Sequence, residues 1–235
     1  MTEDTPQQLL LGFQLDKAAT LENFQNAATD SQLMQYLREK VIAGQEPFTF
    51  IWGIPGVGKT HLLQALCHEL TCAGGTSMYL PLCRYEQLAP EMLEGLEQLD
   101  LVCLDDVDAV AGKSGWEQAL FSFYNRARAA DVRLAVTAHT PPGELKIQLA
   151  DLHSRLQAAV VYQLHELTDP EKAELLSRRA KLLGIDLAKP VIDYVLLRHD
   201  RRVTALMEFL QALDKLSLQQ KRPITIPLVR QLMNW

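Results

Sequence analysis

Apolar positions along this chain follow two rhythms, and the change from one to the other divides it. Up to about residue 165, short apolar runs alternate with stretches of helical spacing. Three of the runs, at 48–52, 99–104 and 133–138, are continuous rather than alternating, which predicts strands buried on both faces of a parallel sheet. Two further runs, 76–80 and 159–164, predict a short strand ended by Pro81 and a strand ahead of a polar stretch. Between them, Leu62, Leu63, Leu66 and Leu70 share one helix face, and Leu120, Phe121, Tyr124 and Ala127 share another over 117–130. A helical segment is expected around 85–96 and a short helix ending at 151–156. Ahead of the first strand, Leu33, Leu37 and Val41 recur every fourth residue in a helical stretch from Thr20 to Gly44, with Asp30-Ser31 offering a cap. Beyond Thr168-Asp169-Pro170, a cap followed by proline at the first helical position, only the helical rhythm remains. Helices are expected near 171–183, 190–198, 203–218 and 226–233. The pattern is that of an α/β core with a five-stranded parallel sheet, followed by a small all-α unit. The segment 166–169 is the expected hinge.

The first strand runs into Gly53-Ile54-Pro55-Gly56-Val57-Gly58-Lys59-Thr60, which fits G-x-x-x-x-G-K-[ST], and His61 continues into a helix. A strand, a glycine-rich turn and a helix start together form a phosphate cradle. Backbone N–H groups and the helix dipole face the anion, Lys59 reaches the outer phosphates, and the Thr60 hydroxyl binds Mg²⁺. A glycine-rich turn that matches by chance would lack the two flanks. Pro55 to His61 are therefore assigned to a nucleotide.

A second signal closes the strand at 99–104. Asp105 and Asp106 stand at its C-terminal end, where open α/β sheets bind ligands. Asp105 should hold Mg²⁺ and Asp106 should orient the attacking water. The alternative is a strand that ends in a turn-forming Asp-Asp pair. At the tip of 133–138, Thr137 or His139 would lie near an outer phosphate and sense its presence; either could equally be a satisfied strand-end residue.

Composition narrows the partners. The formal charge is −6, and it is unevenly spread, +3 from Glu166 onward and −9 before it. An acidic main domain is a poor binder of duplex DNA, because phosphate contacts supply most non-specific affinity. Any DNA contact is expected to be mainly indirect; the basic part could touch nucleic acid or an acidic protein, but its excess is most simply a solvated helix face. No apolar run is long enough for a membrane span, and residues 1–14 lack the basic and apolar regions of a secretion signal. Cys67, Cys72, Cys83 and Cys103 form no C-x-x-C pair, and the six histidines show no metal spacing. A cytoplasmic protein with reduced thiols is expected. Residues 1–19 read as a flexible tail, yet Gln8-Leu9-Leu10-Leu11-Gly12-Phe13 sets apolar side chains in polar surroundings. They pack on the protein's own core as an edge strand, or enter a partner's pocket as an extended peptide.

Taken together, these motifs resemble the AAA+ ATPases, and in detail the DnaA-related branch. Gly58-Lys59-Thr60-His61-Leu62 is similar to the G-K-T-H-L of the bacterial initiator DnaA, and Leu104-Asp105-Asp106-Val107 with Ala111-Gly112-Lys113 is similar to its Asp-Asp strand and following loop. Thr20-Leu21-Glu22-Asn23-Phe24 resembles the T-F-x-N-F that opens the DnaA ATPase domain, which implies that Phe24 borders the nucleotide. The resemblance spans about residues 20–235. It implies a core at 20–165 with a lid at 166–235, and a resident ADP or ATP with Mg²⁺. The chain stops at Trp235, where DnaA would continue into a helix-turn-helix domain, so origin reading is not expected.

The tail peptide Gln8, Leu9, Leu11 and Phe13 resembles the motif with which bacterial proteins dock on the DNA polymerase sliding clamp. A DnaA-like module with such a tail is similar to the regulators that inactivate DnaA and so prevent a second round of initiation. Carried over by motif, Arg155 of Ser154-Arg155 becomes an arginine finger acting in trans on ATP bound to DnaA; the alternative is an ion pair with Asp151 on its own helix. One departure concerns the lid. Arg201-Arg202-Val203-Thr204 puts Thr204 where relatives carry an arginine, so Arg202 or Arg201 must reach the phosphates from one turn away, or none does. The other readings are a helicase loader of the DnaC type, a self-sufficient ATPase, and a scaffold between clamp and DNA. Self-association is compatible with all of them.

Overall fold

The computed structural model describes residues 46–233 and 31–44, with Leu15, Ala19–Leu21 and Phe24 ahead of them. The tail positions Gln8, Leu9, Leu11 and Phe13 lie outside the described residues. Those described group into two units, one holding 32–53 and 59–164, the other 54–58 and 165 onward.

The first unit is built on β1 (Phe48–Trp52), β2 (Ser77–Pro81), β3 (Leu101–Asp105), β4 (Arg133–Ala138) and β5 (Val160–Gln163). All pairings are parallel and the order is β2-β3-β4-β1-β5. Burial follows position in that order. Every residue of the interior strand β3 is buried, whereas the edge strand β5 alternates between half-buried and exposed. That is why 99–104 reads as one apolar block. β3 starts only at Leu101, because the Asp100 carboxylate turns back to accept the Thr76 N–H at 2.7 Å and the Thr76 hydroxyl at 2.8 Å.

Helices α1 (Ser31–Tyr36), α2 (Lys59–Cys72), α3 (Ser114–Ala129) and α4 (Ala150–Gln157) join the sheet. α1 continues as a wider π-type turn over Leu37–Ile42, so Leu33, Leu37 and Val41 all remain buried. α2 buries Leu62, Leu63, Leu66 and Leu70 as its spacing predicts. The expected helix at 85–96 is not there. Three short 3₁₀ turns replace it, Leu82–Gln87, Pro90–Leu93 and Leu96–Gln98. The cause is local: Ala89 before Pro90 is extended (φ −115°, ψ 143°), and Gly95 is left-handed at φ 79°.

The second unit packs α5 (Asp169–Leu182), α6 (Lys189–Arg198), α7 (Val203–Gln220) and α8 (Ile226–Leu232) around Leu176, Ile192, Val195, Leu206, Phe209 and Val229. A reciprocal cap between Thr168 and Glu171 starts α5, with Pro170 in its first turn. Buried Lys172 is neutralised by Glu166 at 2.7 Å. Among the described residues, no helix is long and apolar enough to cross a membrane.

Tyr36 joins α1 to the sheet through its hydroxyl, 3.0 Å from Thr49 Oγ1, and burial pushes its pKa from 10.0 to about 12. A phenol whose folded pKa is raised contributes stability that is present below the unfolded pKa and lost as pH rises toward the folded one. The stability advantage of wild type over Tyr36→Phe should therefore shrink between pH 10 and 12. Urea titrations at pH 8 and at high pH measure it; an unchanged gap would contradict the assignment.

Candidate functional site

The glycine-rich loop leaves β1 at Gly53, whose N–H bonds to Ala138 O at 3.2 Å. It turns through two positive φ angles, 87° at Gly56 and 101° at Gly58, that L side chains rarely adopt. Gly56 is constrained twice, since a Cβ built there would meet Arg202 Cβ at 3.2 Å. Pro55 and Val57 lie in the loop between these turns. Lys59 begins α2 and is 5% exposed, with Nζ donating to Gly53 O at 2.8 Å. Burial lowers its pKa, and the carboxylates of Asp106, Asp105 and Asp108 oppose that shift. His61 follows, its ring tilted against Phe24 at 5.8 Å between centroids and its Nε2 3.3 Å from Thr20 O.

Asp105 is 1% exposed and accepts from three hydroxyls. Thr60 Oγ1 reaches Oδ2 at 2.6 Å, Tyr79 OH reaches the same oxygen at 2.8 Å, and the Thr137 hydroxyl donates to Oδ1. Burial raises the Tyr79 pKa and the adjacent carboxylate raises it further, so this phenol remains a donor. Thr137 is a bridge, because its oxygen also accepts the Asp106 N–H at 3.0 Å. Its one proton is committed to Asp105. Tyr79 escapes sequence reading, since only the β2–β3 register, with Pro81 opposite Asp105, turns it toward that carboxylate.

Asp106 leaves β3 in the left-handed region, at φ 55° and ψ 56°. Burial and the neighbouring Asp105 raise its pKa, while His139 and Lys59 pull it down. His139 Nδ1 lies 2.6 Å from Asp108 Oδ2, and His139 Nε2 lies 3.8 Å from Asp106 Oδ1. Histidine spacing showed no such group, because Asp106 and Asp108 follow β3 while His139 follows β4. Asp106, Asp108 and His139 each offer a ligand atom within 4.8 Å of the others. The Thr60 hydroxyl and Asp105 carboxylate are hard oxygens already in contact, a donor pair that fits Mg²⁺.

Arg155 sits in the last turn of α4, whose Leu152 and Leu156 are buried. Its guanidinium lies 5.8 Å from the centre of the Tyr124 ring. Among the described residues no ion pair joins it to Asp151, and no hydrogen bond joins it to Lys59, Thr60 or Asp105. The sequence also gave no sign of Glu117, a carboxylate 2% exposed that accepts backbone N–H groups from Gly112, Gln148 and Leu149. In the second unit Arg202 is the residue before α7, and its Nε donates to Asp200 at 2.8 Å, which holds the Asp200 carboxyl at about 2. Arg201 is engaged by Leu196 O and Asp169 instead. Of the two arginines, Arg202 is thus the one beside Gly56.

A family model described as the ATPase family associated with various cellular activities (AAA) matches residues 49–164, and one described as Hda, lid domain, matches 169–233. An uncharacterized protein of Haemophilus influenzae is 39% identical over 217 residues, which is 92% of this chain and 94% of that one. Domain III of the Thermotoga maritima replication initiation protein DnaA superposes with a TM-score of 0.79 at 20% identity, covering 94% of this chain and 98% of that one. AMPPCP-bound DnaA from Aquifex aeolicus gives 0.73 at 25% identity, over 86% and 67%. The Thermotoga maritima branch-migration motor RuvB gives 0.69 at 18% identity, over 92% and 71%.

Thr137→Val keeps the shape at the end of β4 but leaves the Asp106 N–H without its acceptor and Asp105 without one donor. The expected loss is about 1–3 kcal/mol in urea unfolding, with Thr137→Ser close to wild type. Equal midpoints for all three proteins would show that the bridge is dispensable.

Proposed function

The chain belongs to the DnaA-related AAA+ ATPases, and from that membership we propose that it is a nucleotide-binding regulator that makes DnaA hydrolyse its bound ATP. The observation that carries this reading is Arg155. It is held on a short helix by apolar contacts, stacked on Tyr124, and bonded to none of the nucleotide-site residues of its own chain. An arginine so placed is suited to a neighbour's phosphates.

In this reading ADP or ATP lies on the glycine loop, with the backbone of Pro55 to His61 and Lys59 facing the phosphates, as the AMPPCP complex of the Aquifex relative supports. Thr60 and Asp105 would hold Mg²⁺, which would supply positive charge to offset the phosphates. Tyr79 and Thr137 fix the Asp105 carboxylate, and Asp106, beside Lys59 and His139, orients the water. Phe24 and His61 border the base end, and Arg202 contacts the loop at Gly56. Arg155 then neutralises charge developing on the γ-phosphate of ATP bound to DnaA, an effect worth about 10³–10⁵ in rate. The tail residues Gln8, Leu9, Leu11 and Phe13 dock on the sliding clamp, which brings the protein to DNA indirectly. Residues 1–19, 20–165 and 166–235 act as tether, nucleotide core and lid.

A second reading, a self-sufficient ATPase, is favoured by the complete set Lys59, Thr60, Asp105 and Asp106. One experiment separates the two. ATP-loaded DnaA is mixed with clamp on DNA and with wild type, Arg155→Ala, or a variant with Gln8 and Phe13 changed to Ala. Arg155→Ala should keep its fold and clamp binding but lose stimulation by about 10³-fold or more. The tail variant should lose clamp binding and stimulate only at high concentration. Full stimulation by Arg155→Ala sinks the proposal, and rapid turnover without DnaA supports the second reading.

A further inference from the structure

α4 needs more than its apolar face to present Arg155. Leu152 and Leu156 hold the helix against the core, but apolar contact is non-directional and leaves the helix free to slide or rotate slightly. The N-terminal end is where direction is imposed, and there Leu149, the residue before the helix, provides no side-chain cap. Glu117 does so from α3. Its Oε2 accepts the Leu149 N–H at 2.8 Å, and both its oxygens accept the Gln148 N–H at 3.1 Å. The same carboxylate accepts the Gly112 N–H at 2.6 Å, in the loop that follows Asp105 and Asp106.

One buried carboxylate therefore ties the peptide after the nucleotide-site acids to the start of the helix that carries the arginine. Six residues of helix, about 9 Å, separate Leu149 from Arg155, so an error at the start of α4 is carried to the guanidinium. We infer that Glu117 is a positioning residue that fixes α4, and with it Arg155, to the loop following the nucleotide-site carboxylates. This rests on the reading of Arg155 as an arginine finger. An ionised carboxylate accepts on every lone pair, which three converging N–H groups require, whereas an amide would present its own N–H to at least one of them. A displacement of 1 Å at a reacting group costs about 10²-fold in rate, so a loosened clamp is enough to silence the arginine.

The test uses ATP-loaded DnaA with clamp on DNA, and compares wild type, Arg155→Ala, Glu117→Gln and the double variant. Glu117→Gln should reduce stimulation at least about tenfold, keep nucleotide and clamp affinities within about twofold, and speed amide exchange at Gln148 and Leu149. The double variant should be no worse than Arg155→Ala alone, because the two changes act through one group. Wild-type stimulation by Glu117→Gln, or a further loss in the double variant, overturns the positioning role. Should Glu117→Gln fail to fold, Leu149→Pro decides by stimulation, by nucleotide and clamp affinities, and by amide exchange at Gln148. It deletes one donor, leaves the carboxylate in place and suits the φ of −77° at that position. If Arg155→Ala stimulates fully, the finger reading itself has failed and the role of Glu117 falls with it. If only Glu117→Gln stimulates fully, the finger stands and the clamp alone is refuted.

Discussion

A buried carboxylate must be satisfied, and the strand ends of the first unit are arranged around satisfying Asp105. At 1% exposure it has lost its water, and three hydroxyls from three separate elements replace it. Each of those hydroxyls fixes something besides the acid. Thr60 locates the first turn of α2, Tyr79 holds the end of β2, and Thr137 carries the hold across to the Asp106 N–H. That last contact steadies the left-handed turn at Asp106, which places Asp108 against His139 at the end of β4. A parallel sheet delivers such groups together because neighbouring strands end at one edge.

Glu117 repeats the device one layer out. Its oxygens accept only backbone N–H groups, so it joins loops whose own side chains are irrelevant to the contact. Asp105 thus gathers the ends of β2 and β4 and the start of α2, and Glu117 gathers the loop at Gly112 and the start of α4, the helix that carries Arg155.

Much of this was legible from residues alone, and the reasons are specific. The glycine loop and the Asp105-Asp106 pair are local patterns, each set by chemistry within a few positions. The buried strands at 48–52, 99–104 and 133–138 showed as continuous apolar runs because they form the interior of the sheet. Tyr79, Asp108 and Glu117 were not legible as site residues, and His139, legible by its strand-end position, gave no sign of its pairing with Asp108, since each gains its role from a partner 26 or more positions away. Thr137 was legible by its strand-end position, but its structural engagement with Asp105 and Asp106 was not. The segment at 85–96 misled for a different reason. Its apolar spacing suits a helix, yet Ala89 before Pro90 is extended and Gly95 is left-handed, and each breaks the run.

The margins of the sheet carry a consequence for how copies can meet. Sheet edges are templates on which a strand from another molecule can add. Here one margin, β2, ends at Pro81, which has no N–H to offer. The other, β5, is only four residues long, and the ring of Tyr36 lies 4.8 Å from that of Tyr162 within it. Among the described residues both margins are short, five residues in β2 and four in β5. Assembly of copies through the described sheet would then rest on side-chain surfaces rather than on an added strand.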